Sequence, residues 1–213
     1  NTPQKFEKLT GVKVLTEMEV IKVNPEEKTV DAVNVQSKET YNYGYDKLVI
    51  ASGASPIKPP VEGLDLKGVF FMRTPEDAIN LRDSIEQGEI KRAVVVGAGF
   101  IGLEVAENLA KQGVKVSVID MAEHILPGFD EEMSEYIENH LAENGIMTAT
   151  GVRMEGIIGT DKVEKVKTSR RAMKADAIVL SIGIRANTNF LQDSGIELMP
   201  NKTVKVDEYL QTN

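Results

Sequence analysis

The chain has 213 residues, which at roughly 150 per domain makes one large domain or two small ones. Lys plus Arg number 25 against 33 Asp plus Glu, a net charge of -8, and 27% charged with 41% hydrophobic residues is the composition of a folded globular chain. The absence of cysteine excludes disulfides, thiolate metal sites and cysteine nucleophiles within these residues. His124 and His140 have no metal-ligand spacing around them, so no metal site is expected. The acidic balance and low aromatic content argue against a nucleic-acid surface, and no apolar run approaches the ~20 residues of a membrane span. A soluble, cytoplasmic α/β chain is the expectation.

Thr2 as a cap, Pro3 at the first helical position, Phe6 and Leu9 on one face and Gly11 as a stop predict a short opening helix. Residues 12–50 read as β, with strands expected at 12–15, 20–23 and 29–35 and a buried strand at 48–51 that runs into Ser52-Gly53. Pro56, Pro59 and Pro60, followed by Glu62-Gly63, mark a linker. Beyond it strands and helices alternate. Thr74 before Pro75-Glu76-Asp77 forms a capping box, with Ala78, Leu81, Arg82 and Ile85 at helical spacing up to Gly88. Residues 92–96 predict a strand, 100–112 a helix stopped by Gly113, and 114–119 the next strand. Asp130 caps a helix with Met133, Ile137 and Leu141 on one face, stopped by Asn144-Gly145. Residues 146–168 read as short strands separated by Gly151, Gly156 and Gly159. A buried strand at 176–182 and a short strand at 203–206 complete the pattern. The chain opens on Asn1 rather than Met, in the middle of a helical signal, and so reads as an excerpt of a longer polypeptide.

The sharpest motif is Gly97-Ala98-Gly99-Phe100-Ile101-Gly102, between an apolar strand and a helix of three turns. A glycine at 97 allows the sharp turn, one at 99 lets backbone N–H groups approach a pyrophosphate, and one at 102 lets the helix pack closely on the strand. The helix start then offers unpaired N–H groups and partial positive charge to the phosphates. The same fingerprint calls for an acid about twenty residues on, at the tip of the second strand, and Asp120 follows Val118-Ile119. A carboxylate there accepts hydrogen bonds from two ribose hydroxyls and repels a 2′-phosphate, and Met121 and Ala122 bring no compensating cation. NAD(H) is therefore expected over NADP(H). Glu104 is expected in the first turn of the helix, where the helix dipole alone is reason enough for a carboxylate.

Three segments together carry a family resemblance. Tyr45-Asp46-Lys47-Leu48-Val49-Ile50-Ala51-Ser52-Gly53-Ala54-Ser55-Pro56 resembles the second flavin-contacting segment of FAD-dependent pyridine nucleotide-disulfide oxidoreductases. The segment from Val95 to Glu104 resembles their NAD loop, and Ala177-Ile178-Val179-Leu180-Ser181-Ile182-Gly183-Ile184-Arg185-Ala186-Asn187 resembles the strand that closes their NAD domain. The branch most similar contains coenzyme A-disulfide reductase, NADH oxidase and NADH peroxidase. Ser52 stands where the family has Thr, and Ala186 where Pro is common.

The resemblance implies an α/β fold with a Rossmann-like NAD-binding domain at 64–186, flanked by β-rich pieces of a split FAD domain at 1–63 and 187–213. It implies that Gly97, Gly99, Phe100, Ile101, Gly102, Glu104, Asp120 and Gly183 face NAD, with Phe100 shielding the flavin and Glu104 holding the nicotinamide amide. Ala51, Ser52, Gly53, Ala54 and Arg73 would face FAD. No catalytic residue falls within the chain, since the redox cysteine of the family would lie upstream of Asn1. The implied activity is hydride transfer from NADH to FAD and on to a disulfide (coenzyme A disulfide among them), a peroxide or oxygen, in a homodimer. With one glycine loop, committed to NAD, the chain alone is expected to bind NADH, hold no FAD and turn over nothing.

Three other readings stay open: a stand-alone dehydrogenase without flavin, an electron-transfer flavoprotein reductase without a redox cysteine, and an NAD-sensing module. The basic stretch Lys162, Lys165, Lys167, Arg170, Arg171 and Lys174 fits a charge-guarded hairpin edge better than a phosphate patch for coenzyme A.

Overall fold

The computed structural model describes residues 2–213, which divide into two compact units, residues 2–54 with Arg185–Asn213 and Ser55–Ile184. The first unit opens with α1 (Pro3–Thr10), capped by Thr2 Oγ1, which accepts the Lys5 N–H, and closed by Gly11 in the left-handed region. Strands β1 (Met18–Asn24), β2 (Thr29–Asn34) and β3 (Thr40–Gly44) then form an antiparallel sheet in the order β1-β2-β3. Val23 and Ala32 are its buried residues, while Val20 and Ile21 stay exposed beside a register shift between Val20 and Lys22.

The chain passes from the first unit to the second within β4 (Ala54–Pro56). It continues through β5 (Val69–Phe71), α2 (Pro75–Glu86), β6 (Arg92–Val96), α3 (Phe100–Lys111), β7 (Lys115–Ile119), α4 (Glu131–Glu143) and β8 (Met147–Ala149). Strands β9 (Met154–Gly159), β10 (Val163–Thr168) and β11 (Ala172–Lys174) follow, then β12 (Ala177–Leu180). The chain returns through β13 (Ile184–Ala186) and a 3-10 turn, Asn189–Leu191, to a C-terminal stretch of the first unit.

Five parallel strands in the order β5-β12-β6-β7-β8 form the central sheet. Both faces are covered, which is why β12 and all of β6 beyond Arg92 are apolar rather than alternating. Ala93, Val95, Ala177 and Val179 point to a core completed by Val105, Ala106 and Leu109 of α3 and Leu141 of α4. Val94, Val96, Ile178 and Leu180 point the other way, onto Met154, Ile157, Val163 and Val166 of the antiparallel sheet β11-β10-β9. The second unit is thus a Rossmann-like α/β layer with a β layer on its back. Among the described residues no helix is long and apolar enough to cross a membrane.

Several expectations need correcting. Residues 12–15 and 48–51 are not strands, and Val12, Val14, Leu15, Leu48 and Val49 are exposed. An apolar run becomes a strand only where a neighbour completes its ladder, and neither run is paired among the described residues. Residues 203–206 reduce to a single bridge between Val204 and Leu198. Gly156 does not separate strands but lies inside β9, paired with Lys167. The proline-rich segment 56–63 belongs with the second unit, where Ile157 N–H donates to the Glu62 carbonyl and Val61 packs on the core, so the division falls at Ser55. In α4 Met133 is half exposed, and Ser134 with Leu141 supplies the buried face.

The capping box of α2 is formed as expected. Thr74 Oγ1 accepts the Asp77 N–H, and Asp77 Oδ2 accepts the N–H groups of Thr74 and Arg73 at 2.8 and 2.9 Å. Burial pushes the Asp77 carboxyl up, but the hydrogen bonds from Thr74 and Arg73 outweigh it and hold the carboxyl below its ordinary value of 3.8. A carboxyl lowered by folding stabilises above its unfolded pKa and loses that contribution as pH falls through its folded value. Thr74→Ala should cost about 1 kcal/mol in urea unfolding. Asp77→Asn should be less stable than the parent at about pH 7, and the gap should narrow at about pH 3.

Candidate functional site

Topology decides where a site can form. From β6 the chain moves outward through α3, β7, α4 and β8, then returns through β9–β11 to place β12 on the other side of β6. The strand ends β6 and β12 are therefore the point where the winding direction reverses, and a crevice opens beyond their carboxyl ends. A cleft of about 680 Å³ lies there, lined by Gly97 and Gly99 after β6, Asp120 and Met121 after β7, Val152 and Arg153 after β8, and Ser181 and Ile182 after β12.

The glycine loop is tight on one side and open on the other. Gly97 has φ +107, and a Cβ there would strike the Ser181 carbonyl oxygen. A Cβ on Gly102, inside α3, would strike the Gly97 carbonyl oxygen and sit 3.4 Å from Val95. Gly99 has an ordinary φ of -81, caps α3 without any side-chain bond to the first-turn N–H groups, and a Cβ there would meet nothing within 4 Å. That space, in front of uncapped N–H groups, is where an anionic ligand could approach backbone directly.

The backbone of Ala98, in the middle of the loop, is held through both its N–H and its carbonyl. Asp120 Oδ2 accepts the Ala98 N–H at 2.6 Å and Oδ1 accepts the Ala122 N–H at 2.8 Å. The Ala98 carbonyl accepts the Leu126 N–H at 2.9 Å, and Gly97 N–H donates to the Ile119 carbonyl at 2.9 Å. Leu126 is buried at φ +48, a conformation that bulky side chains rarely adopt, so the surrounding packing must hold it there. The Asp120 carboxylate spends one acceptor position per oxygen on backbone and keeps the others for a ligand. Donor loop, acid and open space together fit a dinucleotide.

The other residues singled out from sequence are distributed differently. Phe100 and Glu104 line a separate groove of about 450 Å³ between α3 and α4, where Phe100 meets Phe129 edge-on with centroids 5.5 Å apart. Phe100 is 66% exposed, so it is no core residue. Ile101, Glu104 and Arg73 line a groove between α2 and α3. Glu104 is the fifth residue of α3, one turn further in than expected, since a turn holds 3.6 residues. Gly183, at φ +110, follows Ile182 at the cleft edge, and its carbonyl accepts the Ile57 N–H at 3.0 Å. In the first unit Ala51 is exposed, Gly53 has φ +67, and Ser52 and Gly53 present their carbonyls to the Asn187 side chain and N–H at 3.1 and 3.0 Å; Ala54 begins β4.

Val152, Arg153, Ser181 and the Pro59-Pro60-Val61 wall were not among the site residues expected from sequence. The rule that ligands sit beyond the carboxyl ends of parallel strands would have marked the first three once β8 and β12 were placed beside β7 and β6. Ser181 Oγ is the one buried side-chain polar atom among the described residues without a hydrogen-bond partner.

The family model for pyridine nucleotide-disulphide oxidoreductases matches residues 3–213. An NADH oxidase of Methanocaldococcus jannaschii is 35% identical over 214 residues, covering 100% of this chain and 47% of the oxidase. An NAD-dependent persulfide reductase from A. fulgidus superposes with a TM-score of 0.93 at 36% identity, over 100% of this chain and 39% of the reductase. The water-forming NADH oxidase from Lactobacillus brevis, bound to NADH, superposes with a TM-score of 0.90 at 30% identity, over 100% and 46% of the two chains. The chain spans about half the length of the curated relatives it matches.

The three glycines should separate cleanly. Gly97→Ala and Gly102→Ala each force backbone apart and should lower stability by ~1–3 kcal/mol in urea unfolding. Gly99→Ala should stay within ~1 kcal/mol of the parent, because its Cβ enters open space. Equal losses at all three positions would contradict the loop geometry.

Proposed function

The chain belongs to the pyridine nucleotide-disulphide oxidoreductase family, and from that premise we propose that it is the NADH-binding portion of a flavoprotein oxidoreductase. The observation that carries this reading is the open face of Gly99 in front of the uncapped start of α3, with Asp120 on the wall of the same cleft. The helix start and loop N–H groups bind the pyrophosphate, Gly99 lets it come close, and Asp120 takes the adenosine ribose hydroxyls. NADH, when bound, supplies a hydride; FAD is its acceptor in the whole protein, and a disulfide, peroxide or oxygen is the final one. The names of the relatives, two oxidases and a persulfide reductase, support oxygen and a sulfur-bonded acceptor within that range. Phe100, exposed at the head of α3, and Glu104 one turn on line the groove between α3 and α4, and they are assigned to the nicotinamide on the resemblance alone. Ala51–54 and Arg73 are assigned to the flavin on the resemblance alone. We assign the whole protein to a homodimer on the same basis, and to the cytoplasm on its composition.

Two measurements test the site. NADH should bind at least tenfold tighter than NADPH, a difference of about 1.4 kcal/mol or more, in a fluorescence titration of the reduced nicotinamide. Equal or tighter binding of NADPH would overturn the expected preference for NADH. Gly99→Val should remain folded by circular dichroism yet lose NADH affinity by more than ~100-fold, since the new side chain fills the space the pyrophosphate needs. Unchanged affinity in the folded variant would mean that the loop is not the phosphate site.

A further inference from the structure

The neighbours of Asp120 in sequence, Met121 and Ala122, carry no positive charge, but the fold brings one from elsewhere. Val152 N–H donates to the Asp120 carbonyl at 2.8 Å and Gly151 N–H to the Ala122 carbonyl at 2.7 Å, so the segment after β8 runs alongside the strand tip that bears the acid. The next residue, Arg153, lines the same cleft as Asp120. Its backbone is fixed in both directions by Ser169: Arg153 N–H donates to Ser169 Oγ at 3.1 Å, and the Arg153 carbonyl accepts the Ser169 N–H at 2.8 Å. Its guanidinium makes no hydrogen bond or ion pair among the described residues.

The surrounding charges leave that cation unneutralised. Glu155, the other carboxylate on the cleft wall after β8, is engaged by Lys167 at 3.5 Å. Arg170, close enough to Gly151 for a Cβ there to lie 3.3 Å from its Nη2, donates to the neutral Thr150 carbonyl at 2.9 Å and so adds a second positive charge. Asp120 has already committed one acceptor position of each oxygen to backbone N–H groups. The cleft therefore holds Asp120, a Glu155 already facing Lys167, and a guanidinium with all its donors free.

We propose that Arg153 is a specificity-determining residue of this site, its guanidinium fork taking the 2′-phosphate of NADPH. Guanidinium is suited to that anion by its planar, bidentate donors. Discrimination between the two dinucleotides is then a contest between Asp120, which repels a 2′-phosphate, and Arg153, which receives it. The proposal rests on the dinucleotide reading of the cleft and goes beyond it by assigning the phosphate side of the choice.

The test is a titration of NADH and NADPH, followed by nicotinamide fluorescence, on the parent chain and on Arg153→Gln, Asp120→Asn and the double variant. Asp120→Asn should strengthen NADPH binding relative to NADH by about tenfold. Adding Arg153→Gln should take that gain away, with the loss for NADPH exceeding the loss for NADH by about tenfold or more. Equal losses for both dinucleotides would overturn the proposal and give Arg153 to the adenine or pyrophosphate, and an unchanged NADPH affinity would overturn it outright. Failure of the parent to bind either dinucleotide would instead bring down the reading of the cleft itself.

Discussion

The backbone of Ala98 is the fixed point of the second unit. Its N–H is held by the Asp120 carboxylate and its carbonyl by the Leu126 N–H, while Gly97 before it bonds the Ile119 carbonyl and packs against Ser181. Gly97 lies against Ser181 beyond β12, and Gly102 of α3 lies against Gly97 itself. Strand ends, helix start and the loop before α4 converge on one residue. Of the three loop glycines, Gly97 and Gly102 give up their side chains to neighbouring backbone, and only at Gly99 is the resulting space open. Low side-chain volume and high hydrogen-bond density at the same place are what let a phosphate come within reach of N–H groups that are already aimed.

Such a loop needs a rigid base, and the burial of the sheet on both faces supplies it. β6 and β12 bury alternate residues in two separate cores, one against helices and one against the antiparallel sheet β9–β11. A strand packed on both sides cannot slip by one residue without moving every side chain to the wrong core. The register that brings Val96 beside Leu180 thereby sets Gly97 against Ser181, so core packing fixes the geometry of the crevice. The same reasoning explains why β9–β11 interrupts the βα alternation: it covers a face that in a doubly wound sheet would carry helices.

What the sequence made legible follows from how locally each feature is determined. The caps of α1 and α2, the loop 97–102 and the acid at 120 each depend on a few consecutive residues or on one strand-helix-strand unit, and their signals were complete in the chain order. Residues 12–15 and 48–51 failed because apolar character does not itself provide a ladder partner, and exposure of Val49 is the result. Arg153 and Ser181 were invisible for a related reason. Each is an ordinary residue until β8 is laid beside β7 and β12 beside β6, and both pairings join segments far apart in sequence.

The double engagement of Asp120 also changes what its substitution means. Its oxygens accept Ala98 N–H on the loop side and Ala122 N–H on the strand side, so the acid that would read the ribose also holds the loop that would bind the pyrophosphate. Alanine at this position would remove both acceptors, leaving the Ala98 N–H without a partner in a part-buried site, and would couple any change in selectivity to a looser loop. Asparagine keeps one oxygen to accept the Ala98 N–H and gives up only the other, whose place is taken by donors. Charge and loop support can therefore be separated at this residue, and the choice of substitution decides which of the two is being measured. Selectivity at the adenosine end and rigidity at the phosphate end are linked through one carboxylate, and Arg153, anchored by Ser169 rather than by the loop, is the element of the cleft that stands outside that link.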